Sequence, residues 1–142
     1  MSRQRIEVDR VVVGGAASGP IVRLDEPLSF WGGFDAGSGL VTDVHHPQHG
    51  ESLSGAVVAI SRGRGSSSAS SVLAEAARLG TAPAALVMIE ADEIISTGAI
   101  VADELYGRPL PVVEVAAEVH AQLRNGVMVR FDGSVLFVDE LG

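Results

Sequence analysis

From Gly55 onward the chain repeats one pattern three times: a short apolar run, then a stretch with helical spacing. The runs are "AVVAI" (56–60), "AALVMIE" (84–90) and "PVVEV" (111–115), and they read as strands with both faces buried. After the first comes "SSVLAEAARLG", with Val72, Leu73, Ala76 and Leu79 on one helical face and Gly80 to stop it. After the second, "ADEIISTGAIVADELYG" predicts a short helix from about Asp92, an interruption at Gly98 and a further helical piece to Gly107. After the third, "AAEVHAQLRNG" predicts a helix ended by Asn125-Gly126. Strand–helix units in series require parallel strands joined by crossovers, which places the chain in the α/β class.

The two ends are β-rich. "RIEVDRVVVGGAASGPIVRL" offers two runs separated by a Gly/Ala/Ser segment suited to a tight turn, and "VMVRFDGSVLFV" is a hairpin turning at Asp132-Gly133. These ends would extend or close the central sheet, giving a mixed or barrel-like sheet with flanking hairpins. At 142 residues the chain suits one domain with a substantial core. Aromatics make up only 4%, so Val, Ala, Leu and Ile must fill that core. A net charge of −8, spread along the chain, argues against a nucleic-acid or anionic-membrane surface. "MSRQRIEVDR" is too polar for a signal peptide, and no apolar run approaches a membrane span, so a soluble cytoplasmic protein is expected. With no cysteine, any iron–sulfur cluster would need ligands from another chain.

The junction after the first strand is the chemically suggestive stretch. "GRGSSSASS" (63–71) joins a buried strand to an amphipathic helix, so it is not an interdomain linker. Serine hydroxyls can accept hydrogen bonds from a helix's first amides, but one or two would suffice for that. Gly63 and Gly65 ask for more, because they let the backbone turn sharply and approach a ligand. A helix start at the carboxyl end of a parallel strand is a natural anion or substrate site. The serine-hydrolase elbow fails, since Arg64 and Ser68 stand where glycines are needed, and the Gly-Lys-Ser/Thr phosphate loop is absent. A dinucleotide fingerprint is the rival: Gly63 and Gly65 match two of its three glycines, and Glu90 ends the next strand as a ribose-binding acid would. The missing third glycine, the excess of hydroxyls and the short chain weigh against it.

"DEPLSFWGGFDAGSGLVTDVHHPQHGESLSG" holds thirty-odd residues with only short apolar pieces, a length that in a compact domain points to function or an interface. Its Phe30-Trp31 pair is either a core plug or a partner-facing anchor. His45, His46 and His49 invite a metal reading, but without cysteines or regular structure they are expected to bond backbone groups in a polar, partly interfacial loop. His120 is expected on a helix surface.

Together, "EPLSFWGG", "HPQHG" and "GRGSSSASS" closely resemble the swivelling domain of aconitase X, from about Gly14 to Gly107 and over almost the whole chain. The resemblance implies a swivelling β/β/α fold over residues 1–142 as one domain, and a role as the small subunit of a hydro-lyase. The large subunit would carry the cysteines that hold an iron–sulfur cluster, and the serine loop would face it. Family activities include dehydration of cis-3-hydroxy-L-proline, mostly bacterial, and of phosphomevalonate in archaea. The motifs look more like the bacterial group, so a hydroxyproline substrate is expected. In aconitase relatives a Gly-Ser-Ser-Arg segment carries a proton-moving serine. Laid over this chain it gives Ser66 the proton-transferring place and Gly65 and Ser67 substrate contacts. Ser68 departs from the pattern, since the relatives have a carboxylate-binding arginine there. Arg64 stands as the candidate to supply that charge, on position rather than on the motif.

Overall fold

The structure, a computed structural model, describes residues 3–64 and 67–139. Ten strands and three helices follow the order β1 (Arg3–Glu7), β2 (Arg10–Val13), β3 (Ala16–Arg23), β4 (Phe34–Asp35), β5 (Leu40–Val41), β6 (Val57–Ile60), α1 (Ala69–Leu79), β7 (Ala85–Met88), α2 (Glu93–Tyr106), β8 (Val112–Glu114), α3 (Ala117–His120), β9 (Met128–Asp132) and β10 (Val135–Asp139). Eight strands form one mixed sheet in the order β1-β10-β9-β3-β6-β7-β8-β2. The pairs β3–β6, β6–β7 and β7–β8 are parallel, as the strand–helix rhythm requires. The remaining pairs are antiparallel.

Period-two alternation divides the central strands between two cores. Val58, Ile60, Leu86, Met88 and Val112 pack with α1, α2 and the Leu28–Phe34 segment. Val57, Ala59, Ala85, Val87 and Val113 pack with Ile6, Phe131, Leu136 and Val138 of β1, β9 and β10. The outer strands therefore lie over one face of the central strands and the helices over the other, a β/β/α layering.

Local chemistry sets the helix ends. The Asp92 side chain caps α2 by accepting from the Ile95 amide at 2.8 Å. Gly80, at φ +81, ends α1 in the left-handed conformation. The hairpin turns at Gly133-Ser134, with Val135 opposite Asp132.

Five expectations change, the first being the hairpin turn, which falls one residue later than Asp132-Gly133. Of the N-terminal Gly/Ala/Ser segment only Gly14-Gly15 separates two strands; the rest is the first half of β3, where Ala16 to Pro20 pair with Asp132 to Met128 of β9. The thirty-residue loop contains a small β4–β5 ribbon. Helix α2 runs unbroken through Gly98, because that glycine lies against α1 rather than against solvent. The third helix is a single turn, and His120 is 2% exposed rather than on the surface.

His120 is drawn inward by what lies beneath it. The Arg23 guanidinium donates from Nη1 to the carbonyls of His120 and Leu123, at 2.6 and 3.2 Å, which pins the turn against β3. The imidazole Nε2 has no hydrogen-bond partner among the described residues. Burial, and then the positive charge of Arg23, push its pKa below the ordinary histidine value; the nearby Ile60 and Val87 carbonyls oppose this without reversing it. A histidine held neutral in the folded state refuses a proton that the unfolded chain accepts below about pH 6.5. Stability is therefore complete above that pH and falls as the pH drops below it, with a limiting slope of about 1.4 kcal/mol per pH unit. Denaturant titrations between pH 7 and 5 should show this loss, and His120→Leu should flatten the profile. Parallel profiles for the two proteins would disprove the assignment.

Candidate functional site

Three segments converge at the carboxyl end of the parallel strands. The first leaves β6 at Ser61 and enters α1 at Ala69; the second leaves β7 at Ile89 and enters α2 at Glu93; the third is the Leu28–Phe30 stretch. Backbone hydrogen bonds fasten them together. The Ser61 carbonyl accepts from the amides of Ile89 and Glu90, both at 3.0 Å. The Arg64 amide donates to the Leu28 carbonyl at 3.1 Å, and Leu28 and Gly63 form an isolated parallel bridge. Thus "EPLSFWGG" and "GRGSSSASS", far apart in sequence, are adjacent in space.

Gly63 is needed for that closeness. A Cβ there would come within 2.7 Å of Ile95 Cδ1 and 3.0 Å of Asp92 Oδ2. The first glycine of the loop therefore packs against the start of α2. The dinucleotide fingerprint uses its first glycine for the tight turn and its second for the approach to the pyrophosphate; that second glycine, Gly65, lies outside the described residues, and Glu90 is exposed, its amide bonded to Ser61.

The resulting cleft is lined by Leu28, Phe30, Gly63, Arg64, Asp92 and Ile95, among others, and encloses about 30 Å³. That holds a water or two and lies far below the ~300–1,000 Å³ of small-molecule pockets. Glu114, at the end of β8, supports one wall: its Oε2 accepts from the Ala91 amide at 2.8 Å, and its Oε1 meets Arg10 Nε at 3.2 Å.

Of the loop residues expected to act, Arg64 lines the cleft, and Ser67 is exposed just before α1, with its carbonyl accepting from the Ser70 hydroxyl at 2.9 Å. Gly65 and Ser66 lie outside the described residues. Ser68 is the N-cap residue of α1, and its side chain makes no capping hydrogen bond to that helix.

The aromatic pair divides its roles. Phe30 is 1% exposed and packs edge-on to Phe34 at 5.4 Å between ring centroids, whereas its neighbour Trp31 is 57% exposed. His46 behaves as a structural residue. Its Nδ1 accepts from the Gln48 amide at 3.0 Å, which leaves Nε2 to donate to the Glu26 carbonyl at 3.0 Å. His45 and His49 are exposed. Among the described residues no group of three His, Asp or Glu side chains could hold a metal ion, and the chain has no cysteine. This chain's residues therefore do not fit the ligand set of an iron–sulfur cluster.

The sequence reading took Asp92 only as a helix start and did not single out Glu114. The capping pattern was visible, but its position facing Gly63 follows from tertiary packing alone.

Comparison with known proteins agrees with this fold. The sequence profile of the family described as "Aconitase X swivel domain" matches residues 6–138. The chain is 46% identical over 133 residues to cis-3-hydroxy-L-proline dehydratase of Pseudomonas aeruginosa, covering 89% of this chain and 23% of that protein. It thus spans under a quarter of that relative's length. It is 42% identical over 132 residues to the phosphomevalonate dehydratase small subunit of Methanothermobacter thermautotrophicus, covering 89% of this chain and all of that one. The crystal structure of Thermococcus kodakaraensis aconitase X (holo-form) superposes with a TM-score of 0.85 at 32% identity, over 96% of this chain and 99% of that one. Among the described residues no helix is long and apolar enough to cross a membrane. A serine-rich strand-to-helix junction on a β/β/α scaffold, matched along nearly its whole length, makes this chain a member of the aconitase X swivel domain family.

Proposed function

We propose that this chain is the small subunit of an aconitase-X-type hydro-lyase that dehydrates cis-3-hydroxy-L-proline together with a cysteine-bearing large chain. The observation that carries the reading is the cleft itself. It sits where parallel strands deliver two helix starts, yet at about 30 Å³ it is too small to enclose a substrate alone. A second chain closing over the serine loop would complete it. Any cluster would be held by that chain.

Dehydration removes the proton from C2 and the hydroxyl from C3, leaving a C2=C3 enamine that tautomerises to a cyclic imine. Ser66 is the proton-transferring group in this proposal, with Gly65, Ser67 and Arg64 as substrate contacts. A serine hydroxyl is a poor base at neutral pH. It needs the positive end of α1, nearby amides and a water-poor site to act as an alkoxide or to pass its proton onward. Phosphomevalonate is the second reading, favoured by the full-length match to a separate small subunit that acts on it.

Co-expression with the cysteine-bearing chain, followed by assays on both substrates, tests the choice. Trp31, the only tryptophan and 57% exposed, supplies an independent readout of assembly. Its emission should shift to the blue as the large chain buries it. An active assembly in which the Trp31 spectrum is unchanged would remove that residue from the interface.

A further inference from the structure

The two walls of the cleft carry opposite charge. The loop into α1 presents Arg62 and Arg64, and the turn into α2 presents Glu90, Asp92 and Glu93. Arg64 and Asp92 are the charged residues that line the cleft itself, and the other lining side chains are apolar. Among the described residues Arg64 takes part in no ion pair. Asp92 spends one oxygen on the helix, Oδ1 accepting from Ile95 at 2.8 Å, and turns Oδ2 toward the Gly63 backbone. The wall is held from behind by the Glu114 bond to the Ala91 amide.

A cleft with one cationic and one anionic wall, in a chain of net charge −8, is poorly matched to a substrate bearing both a phosphate and a carboxylate. Such a ligand would gain from Arg64 and be repelled by Asp92 and its acidic neighbours. A zwitterion meets both walls favourably.

We propose that Asp92 and Arg64 form a two-signed recognition pair that selects an α-amino acid substrate, Asp92 taking the ammonium and Arg64 the carboxylate. This rests on the dehydratase reading above and adds the residue that sets its substrate class. Because removal of the C2 proton and of the C3 hydroxyl leaves the ammonium in place, loss of its partner should fall on KM rather than kcat.

The test uses the assembled enzyme and Asp92→Asn, because asparagine caps a helix as well as aspartate does and removes only the charge. The probes are cis-3-hydroxy-L-proline and the analogue of the same configuration with a ring oxygen in place of the nitrogen. Asp92→Asn should raise KM for the amino acid about 10- to 100-fold with kcat within a few fold. The preference for the amino acid over the oxygen analogue should fall by the same factor, while thermal melts stay superimposable. Arg64→Gln should raise KM for both. If the wild-type assembly dehydrates hydroxyproline and Asp92→Asn leaves its KM unchanged, Asp92 is a helix cap only and the pair is wrong. If the wild-type assembly prefers phosphomevalonate, the pair and the choice of hydroxyproline fall together. If it dehydrates neither, the dehydratase reading fails, and the pair with it.

Discussion

Replacing Ser66 with alanine is expected to lower kcat of the assembled enzyme by about 10²- to 10⁴-fold, the span that a positioned proton-transferring group contributes. KM should move little, since a hydroxyl that matters as an alkoxide does so chiefly in the transition state. Assembly should survive, and the Trp31 emission change on adding the large chain should match wild type. Ser67→Ala is the informative neighbour. A residue that contacts substrate without moving a proton should cost mainly KM, by about an order of magnitude for one hydrogen bond. The loop starts from Arg64, whose amide is anchored on Leu28 at 3.1 Å, and ends at α1, where Ser67 and Ser68 precede the first turn. Position 66 thus lies two residues beyond a fixed anchor and three before a helix start. If Ser66→Ala turned over normally, the proton would be moved by another group and the loop's hydroxyls would need a different explanation.

The elements legible in the sequence are those whose signal is local. The strands β6 and β7 are buried on both faces, so their apolar runs are continuous and stand out inside "AVVAI" and "AALVMIE". Helix α1 and its glycine stop follow from spacing alone. Where the reading departed from the fold, a distant partner decided the outcome. Ala16 to Pro20 have weak strand character and become a strand because β9 offers a ladder more than a hundred residues later. His120 turns inward because Arg23, 97 residues earlier, takes its carbonyl. The candidate site shows the same limit. The serine loop could be found from its composition and its place between strand and helix. That Asp92 would face Gly63 across a cleft depends on how two helices pack, which no stretch of either sequence segment states.

Gly98→Val is expected to damage both stability and turnover, and the reason lies in that packing. A Cβ at position 98 would stand 2.9 Å from the Ser70 carbonyl oxygen, 3.1 Å from Ser70 Cα and 3.2 Å from Leu73 Cβ. Two of these are backbone atoms of α1 and the third is fixed to its backbone, so no rotamer change relieves the clash. The helices must part, and the core residues Leu73, Ala76, Ile95 and Ala99 part with them. Overpacking of this kind costs about 3 kcal/mol, or roughly 10 °C in melting temperature for a chain of this size. Gly98→Ala meets the same contacts with its Cβ and should also destabilise, but less, because it adds no γ-methyl groups and alanine's advantage over glycine inside a helix, about 1 kcal/mol, offsets part of the cost. The functional consequence follows from which ends of the helices carry the site. The serine loop enters α1 and Asp92 caps α2, so a wedge between Ser70 and Gly98 widens the cleft at its mouth. Gly98→Val should therefore lose turnover even at temperatures where it remains folded, with a larger change in KM than Ser66→Ala shows. Circular-dichroism melts of the glycine, alanine and valine forms give the stability series. A valine form that melts with wild type would mean that the two helices do not meet at this residue.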